Sequence, residues 1–186
     1  MKLLVTHSNP DFDALSSLAL AKLVHPGAVV TLQGSIPAAL ERVLELYRDR
    51  LEITPAEDIN LADVAELIVV DTSDKERVAP FGPLLDKVPV TLYDHHPRQE
   101  DAIAAVHGLH REVGATATIL TLLLTSQNIA IPPELASLAL LGIHDDTGSL
   151  SYPSTKSEDY DAAAHLLRAG ASLEFLQTFL REEYDT

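Results

Sequence analysis

The chain has 186 residues, 46% of them hydrophobic and none a cysteine, and its 28 acidic against 13 basic side chains leave a formal charge of −15. That length suits one domain with a full core and no disulfides, and the lack of thiols excludes thiolate zinc fingers and dithiol redox chemistry. The acidity argues against broad electrostatic binding of nucleic acid, which depends on Lys and Arg displacing counterions from phosphates.

The first apolar run, Lys2 to Thr6, reads as a buried strand. It stops at a histidine and a carboxylate cluster, too soon for a signal peptide or membrane anchor, so a soluble, cytoplasmic chain without a membrane partner is expected. Ala14 to Val24 follows with helical spacing, then a strand over Ala28 to Leu32 and a helix over Pro37 to Arg48. Valine- and leucine-rich runs predict strands over Leu67 to Val70 and Val90 to Tyr93, with a weaker one over Ile103 to Val106. The rest reads as helix: Ala115 to Ser126, Pro133 to Leu141, Ser157 to Ala169, and an amphipathic segment from Ala171 to Glu183 with Leu173, Leu176, Phe179 and Leu180 on one face. This alternation predicts an α/β fold: a parallel sheet of about five strands sandwiched by helices, with a more helical C-terminal third.

Polar residues cluster where the predicted strands end. His7-Ser8-Asn9-Pro10-Asp11-Phe12-Asp13 follows the first strand, Asp71-Thr72-Ser73-Asp74 the run ending at Val70, and Asp94-His95-His96-Pro97 the run ending at Tyr93. The C-termini of parallel strands share one edge, where ligands bind, so these clusters should converge. Taken singly, Asp11 and Asp13 also read as caps of the helix that follows, and Asp71 as a turn residue. Asp94-His95-His96 is harder to read as structural, because a buried strand running into three titratable groups wastes burial unless they are paired or ligated. Crowded carboxylates repel unless cations hold them, and a mixed carboxylate and imidazole set suits Mn²⁺ or a similar ion, with Mg²⁺ favouring oxygen alone. A dinuclear site with one bridging aspartate is the economical arrangement.

Two further segments carry weaker signals. Gly142 to Gly148 contains His144, Asp145 and Asp146 and reads as a helix end followed by an Asp turn. Gly114-Ala115-Thr116-Ala117-Thr118 opens a helix whose free N–H groups could receive a phosphate oxygen. His25, His107, His110 and His165 stand apart and read as surface or internally satisfied histidines. No glycine-rich phosphate loop, HExxH or Gly-x-Ser-x-Gly elbow is present.

These blocks, in this order, resemble the DHH phosphoesterase superfamily over most of the chain, from His7 to about Ser154. His7-x3-Asp11-x-Asp13 is similar to its first motif, Val69-Val70-Asp71 to its second, Asp94-His95-His96 to its third and Asp145-Asp146-Thr147-Gly148 to its last N-terminal motif. The resemblance implies a catalytic DHH domain over residues 1–186 with two Mn²⁺ or Mg²⁺ ions. His7, Asp11 and Asp71 would hold one ion, and Asp13, Asp71, His95 and Asp146 the other, with Asp71 bridging. Asp146 is preferred to Asp145 because the superfamily's ligand directly precedes Thr-Gly. Asp94 would orient a histidine, and His96 would face the substrate phosphate. A narrower likeness, in Asn9 to Ser17, His25 to Ala28 and Gly142 to Thr155, is to the DHH module of bacterial proteins that continue into CBS and poly(A) polymerase or tRNA nucleotidyltransferase domains.

The implied activity is hydrolysis of phosphodiester or phosphoanhydride bonds of short oligonucleotides or nucleotides, with the ions lowering the pKa of an attacking water. The alternative is a nucleic-acid or nucleotide-binding regulatory module of a larger RNA-processing protein; a manganese pyrophosphatase ranks third, because only Lys75, Arg77, Arg98 and Arg111 lie near the motifs. The superfamily's C-terminal, glycine-rich substrate-binding domain has no counterpart before Thr186, and the resemblance implies that this domain is absent from the chain.

Overall fold

Side chains alternate across a strand, and the apolar residues of this sheet divide accordingly. Leu4, Ile68, Val70 and Tyr93 belong to the larger core, whereas Leu3, Val5, Leu67, Val69 and Leu92 belong to a smaller one. In the computed structural model, which describes residues 1–183, five strands make the sheet: β1 (Lys2–Val5), β2 (Val29–Val30), β3 (Glu66–Val70), β4 (Val90–Asp94) and β5 (His107–His110). All pairings are parallel and the order is β2-β1-β3-β4-β5. Thr186 lies outside the described residues.

Six α-helices contribute to the larger core: α1 (Phe12–Val24), α2 (Ala38–Leu51), α3 (Thr116–Ser126), α4 (Pro133–Asp146), α5 (Ser157–Arg168) and α6 (Leu173–Glu183). The opposite face is covered by Val64, Val78, Phe81, Leu84 and Ile103, of which Val78 and Leu84 sit in single-turn 3-10 helices. Half of the predicted amphipathic face of α6, Leu176 and Phe179, is buried in the larger core.

Two expectations are corrected. The fifth strand is His107–His110 and not Ile103–Val106; Ile103 instead plugs the smaller core, with its N–H donating to the Ser73 carbonyl at 2.8 Å. The strand's sequence, His-Gly-Leu-His, has no apolar run because it is an edge strand whose pairing is carried by backbone. Gly108, at φ +115°, lies so close to β4 that a Cβ there would fall 1.9 Å from the Leu92 carbonyl oxygen. The second correction is the end of α4, which continues through Asp146, so His144, Asp145 and Asp146 occupy its last turn and not a turn after it.

In this strand order the chain leaves β1 for one edge through α1 and returns past it to β3. The crevice between β1 and β3 is the switch point at which open α/β sheets bind their ligands.

Candidate metal centre

The switch point places His7 two residues after β1 and Asp71 directly after β3. Asp71 is held at φ +63°, a left-handed conformation that L-residues adopt at a cost of about 1 kcal/mol or more. Its N–H donates to the Tyr93 carbonyl at 2.8 Å, which ties the strained residue to β4. Asp11 caps α1, accepting from the Ala14 N–H at 2.9 Å, and Asp13 is the second residue of that helix. Both readings of Asp11 therefore hold together: one oxygen caps the helix while the other lies 3.8 Å from His7 Nε2.

Asp71 sits between two groups. Its Oδ2 is 3.3 Å from His7 Nε2, and its Oδ1 is 3.6 Å from His95 Nε2, which lies 3.1 Å from Asp146 Oδ2. The donor atoms of His7, Asp11 and Asp71 lie within 4.8 Å of one another, as do those of Asp13, Asp71, His95 and Asp146. The structure thus brings together all six residues proposed as ligands, in two sets that share Asp71, and a third set joins Asp71 and His95 to His96.

The donor chemistry fits cations. His95 Nδ1 donates to the Val113 carbonyl at 3.1 Å, which orients the ring and aims Nε2 at the Asp146 and Asp71 carboxylates. Burial and the neighbouring Asp146 push Asp13 up to about 7; burial, Asp13 and Asp11 push Asp71 well above the usual carboxylate range. Burial also raises Asp11. Burial alone would lower His95, but the Asp146 hydrogen bond and the charges of Asp13 and Asp146 outweigh it and carry the group to about 9. Mutual repulsion of this kind is what bound cations relieve.

His7 is the exception in sign. Burial and the Arg77 guanidinium lower it to about 4. Arg77 Nη2 donates to His7 Nδ1 at 2.8 Å, so the neutral ring carries its proton on Nε2, facing Asp71. Holding a cation through Nε2 requires that proton to leave and the Arg77 contact to open. In the sequence Arg77 is only a basic residue near the second motif, and its contact with His7, 70 positions away, has no local signal.

The Gly114 to Thr118 segment behaves differently from expectation. Its N–H groups do not await a phosphate: Thr116 and Ala117 donate to the two Asp13 oxygens at 2.7 and 2.9 Å. The Thr116 hydroxyl donates to Asp71 Oδ1 at 2.9 Å. The start of α3 therefore fixes two carboxylates of the cluster. Close approach of α4 to α1 does the same for Asp146, since a Cβ on Gly142 would lie 2.2 Å from Ser16 Oγ and 3.0 Å from Asp13 Cα.

Asp94 and His96 form a pair beside this cluster. His96 Nδ1 donates to Asp94 Oδ1 at 2.8 Å, and hydrogen bonding of this kind, with the His96 charge, holds Asp94 low despite its burial. His95 and His96 stack with ring centroids 4.3 Å apart. His110, which sequence reading set aside, donates from Nε2 to the His96 carbonyl at 2.6 Å and so braces the loop from β5. His25 is internally satisfied, 3.0 Å from the Tyr93 hydroxyl.

The fold is α/β, and at the switch point of its parallel sheet a carboxylate and imidazole cluster lies close enough together to hold divalent cations. Residues 2–143 match the DHH family, N-terminal domain, and the chain belongs to that family. It is 35% identical over 186 residues to the A-adding tRNA nucleotidyltransferase of Geobacter sulfurreducens, covering 98% of this chain and 21% of that protein. It is 27% identical to the cyclic-di-AMP phosphodiesterase GdpP of Bacillus subtilis, covering 99% of this chain and 30% of the relative. Among solved structures, a Methanococcus jannaschii protein described as a family II inorganic pyrophosphatase superposes with a TM-score of 0.76 at 25% identity, covering 97% of this chain and 59% of that one. The chain thus spans less than a third of these two curated relatives. Among the described residues no helix is long and apolar enough to cross a membrane.

Proposed function

We propose that this chain is the catalytic domain of a metal-dependent phosphodiesterase acting on short oligonucleotides or nucleotides. The observation that carries the reading is the sharing of Asp71 between two donor sets, with the Asp94–His96 pair beside them. Two divalent ions at such a centre supply Lewis-acid charge and lower the pKa of a water to near neutrality. The carboxylate and imidazole mixture suits Mn²⁺ over Mg²⁺. His7, Asp11 and Asp71 would hold one ion; Asp13, Asp71, His95 and Asp146 would hold the other. Asp94 keeps the His96 ring in one orientation, and its remaining nitrogen is left for a phosphoryl oxygen. Thr116 and Ala117 keep Asp13 aimed at the centre as an acceptor, so the ligand does not swing away when a polyanion approaches.

The likeness to a phosphodiesterase supports the reaction class, and the likeness to a tRNA nucleotidyltransferase supports an RNA context. A second reading follows from coverage: in a protein of which this chain spans 21%, the domain could serve as a nucleotide-binding regulatory module. Pyrophosphatase activity ranks third, because a small tetra-anion needs several cations around it. The test is hydrolysis of a dinucleotide, a short RNA, a cyclic dinucleotide and pyrophosphate in the presence of Mn²⁺. Cleavage of the dinucleotide or RNA is expected. Silence on all four would leave the binding module, and a response to pyrophosphate alone would leave the third reading.

A further inference from the structure

One end of the metal centre opens into a pocket of about 220 Å³ between His95, His96 and Asp146 on one side and Ser154 and Lys156 on the other, with Glu112 completing the wall. Lys156 does not belong to any of the motifs, and nothing in the sequence marks it. The pocket is a built feature. Asp159, fully buried on α5, accepts from the Gly114 N–H at 2.9 Å and from the Lys156 N–H at 2.7 Å, and the Thr118 hydroxyl donates to it at 2.6 Å. One buried carboxylate thereby clamps the backbones of two wall residues, Gly114 and Lys156. Gly114 is packed tightly against this clamp, since a Cβ there would lie 2.4 Å from Thr147 Cγ2 and 2.6 Å from Asp159 Oδ2.

The wall chemistry is mixed. Among the described residues neither the Lys156 ammonium nor the Glu112 carboxylate has an ion-pair partner, and Pro97 and Val113 add apolar surface. A cation and a hydroxyl suit a phosphate. A carboxylate only accepts hydrogen bonds, and it suits vicinal sugar hydroxyls while repelling a second phosphate. Inorganic pyrophosphate matches only half of this wall; a ribonucleotide matches all of it.

We propose that the pocket is a ribonucleotide subsite, in which Lys156 and Ser154 hold a phosphate, Glu112 accepts from the ribose hydroxyls and Asp159 sets the spacing between the walls. The subsite deepens the phosphodiesterase reading and rests on it for the name of the substrate class, ribonucleotide esters. It makes Lys156 and Glu112 specificity-determining residues. Glu112 is exposed, so its preference for a sugar bearing hydroxyls is that of one added hydrogen bond at the rim of the pocket.

The test has two arms. In the first, the metal-free full chain is titrated with adenosine 5′-monophosphate and with its 2′-deoxy analogue, followed by backbone amide NMR. Shifts centred on Gly114, Ser154 and Lys156 are expected, with Lys156→Ala weakening binding at least tenfold, about 1.4 kcal/mol. Glu112→Ala should bring the ribo and deoxy affinities together. Shifts elsewhere, unchanged affinity in Lys156→Ala, or undiminished discrimination in Glu112→Ala would overturn the proposal. In the second arm, Mn²⁺-dependent cleavage of an RNA dinucleotide is compared with that of bis(p-nitrophenyl) phosphate. Lys156→Ala should lose at least tenfold more on the dinucleotide than on the aryl ester, and equal losses would count against the subsite. Nucleotide binding at the pocket without any hydrolysis would keep the subsite and refute the phosphodiesterase; hydrolysis indifferent to Lys156 would do the reverse.

Discussion

Thr116 is bonded twice into the cluster, its N–H to Asp13 at 2.7 Å and its hydroxyl to Asp71 at 2.9 Å. One residue at the start of α3 thus sets the separation between a carboxylate of α1 and the shared carboxylate of β3. Thr116→Val keeps the shape and the N–H but removes the hydroxyl, leaving a buried oxygen of Asp71 short of a donor. A hydrogen bond to a charged group contributes about 1.5–3 kcal/mol, so Mn²⁺ affinity measured by calorimetry should fall roughly tenfold or more. Thr116→Ser should restore it.

Gly142 governs the other side of the centre. A methyl group there overlaps Ser16 Oγ and crowds Asp13 Cα, so Gly142→Ala must push α4 from α1 and carry Asp146 outward. Overpacking of this kind costs about 1–3 kcal/mol. A lower thermal midpoint together with weaker Mn²⁺ binding is the expected outcome; an alanine variant with native stability and affinity would contradict the packing.

The metal-free centre should lose stability as pH rises. Asp13, at about 7, holds in the folded state a proton that the unfolded chain releases near 3.8, so its contribution is full below 3.8 and lost through about 7. His95 contributes fully below 6.5 and loses this through about 9. His7, lowered to about 4, opposes them only between 4 and 6.5, since its contribution is present above 6.5 and lost as pH falls through 4. Thermal unfolding of the metal-free protein should therefore show a falling midpoint from pH 6.5 to 9. A fixed Mn²⁺ concentration should raise the midpoint more at pH 8.5 than at pH 6.5; at a hundredfold excess over Kd one ion adds about 2.7 kcal/mol of stability.

Arg77 competes for His7. Its guanidinium occupies Nδ1 and places a positive charge beside the donor set of His7, Asp11 and Asp71. Arg77→Met frees the ring to move its proton to Nδ1 and removes the repulsion. The variant should bind the first Mn²⁺ more tightly than the parent in a calorimetric titration, and unchanged or weaker binding would show that the contact does not oppose loading.

Much of this centre was legible in the sequence because strands in a parallel sheet end on one edge: apolar runs stopping at His7, Asp71 and Asp94 fix where those residues lie. What was not legible depends on backbone and on distant packing. Thr116 and Ala117 serve Asp13 through N–H groups that every residue carries, and the contact spans more than 100 positions. Asp159, on a segment read as an ordinary helix, clamps a pocket wall 45 residues away. Apolar pattern points away from β5 because His107 and Gly108 pair through backbone, whereas the apolar residue Ile103 fills a core without joining the sheet.

Charge deserves the same reading. A net −15 argues against gripping a polyanion over the whole surface, yet part of it is concentrated in Asp11, Asp13, Asp71 and Asp146, which two divalent ions would neutralise locally.

The most direct test of the shared-aspartate centre is the stoichiometry of Mn²⁺ binding, measured by calorimetry on the parent chain and on Asp71→Asn, with circular dichroism to confirm that both are folded. Two ions per chain in the parent, and loss of tight binding at both positions in the folded variant, are the results predicted here. A single ion in the parent, or an Asp71→Asn variant that still binds two ions tightly, would contradict the dinuclear centre.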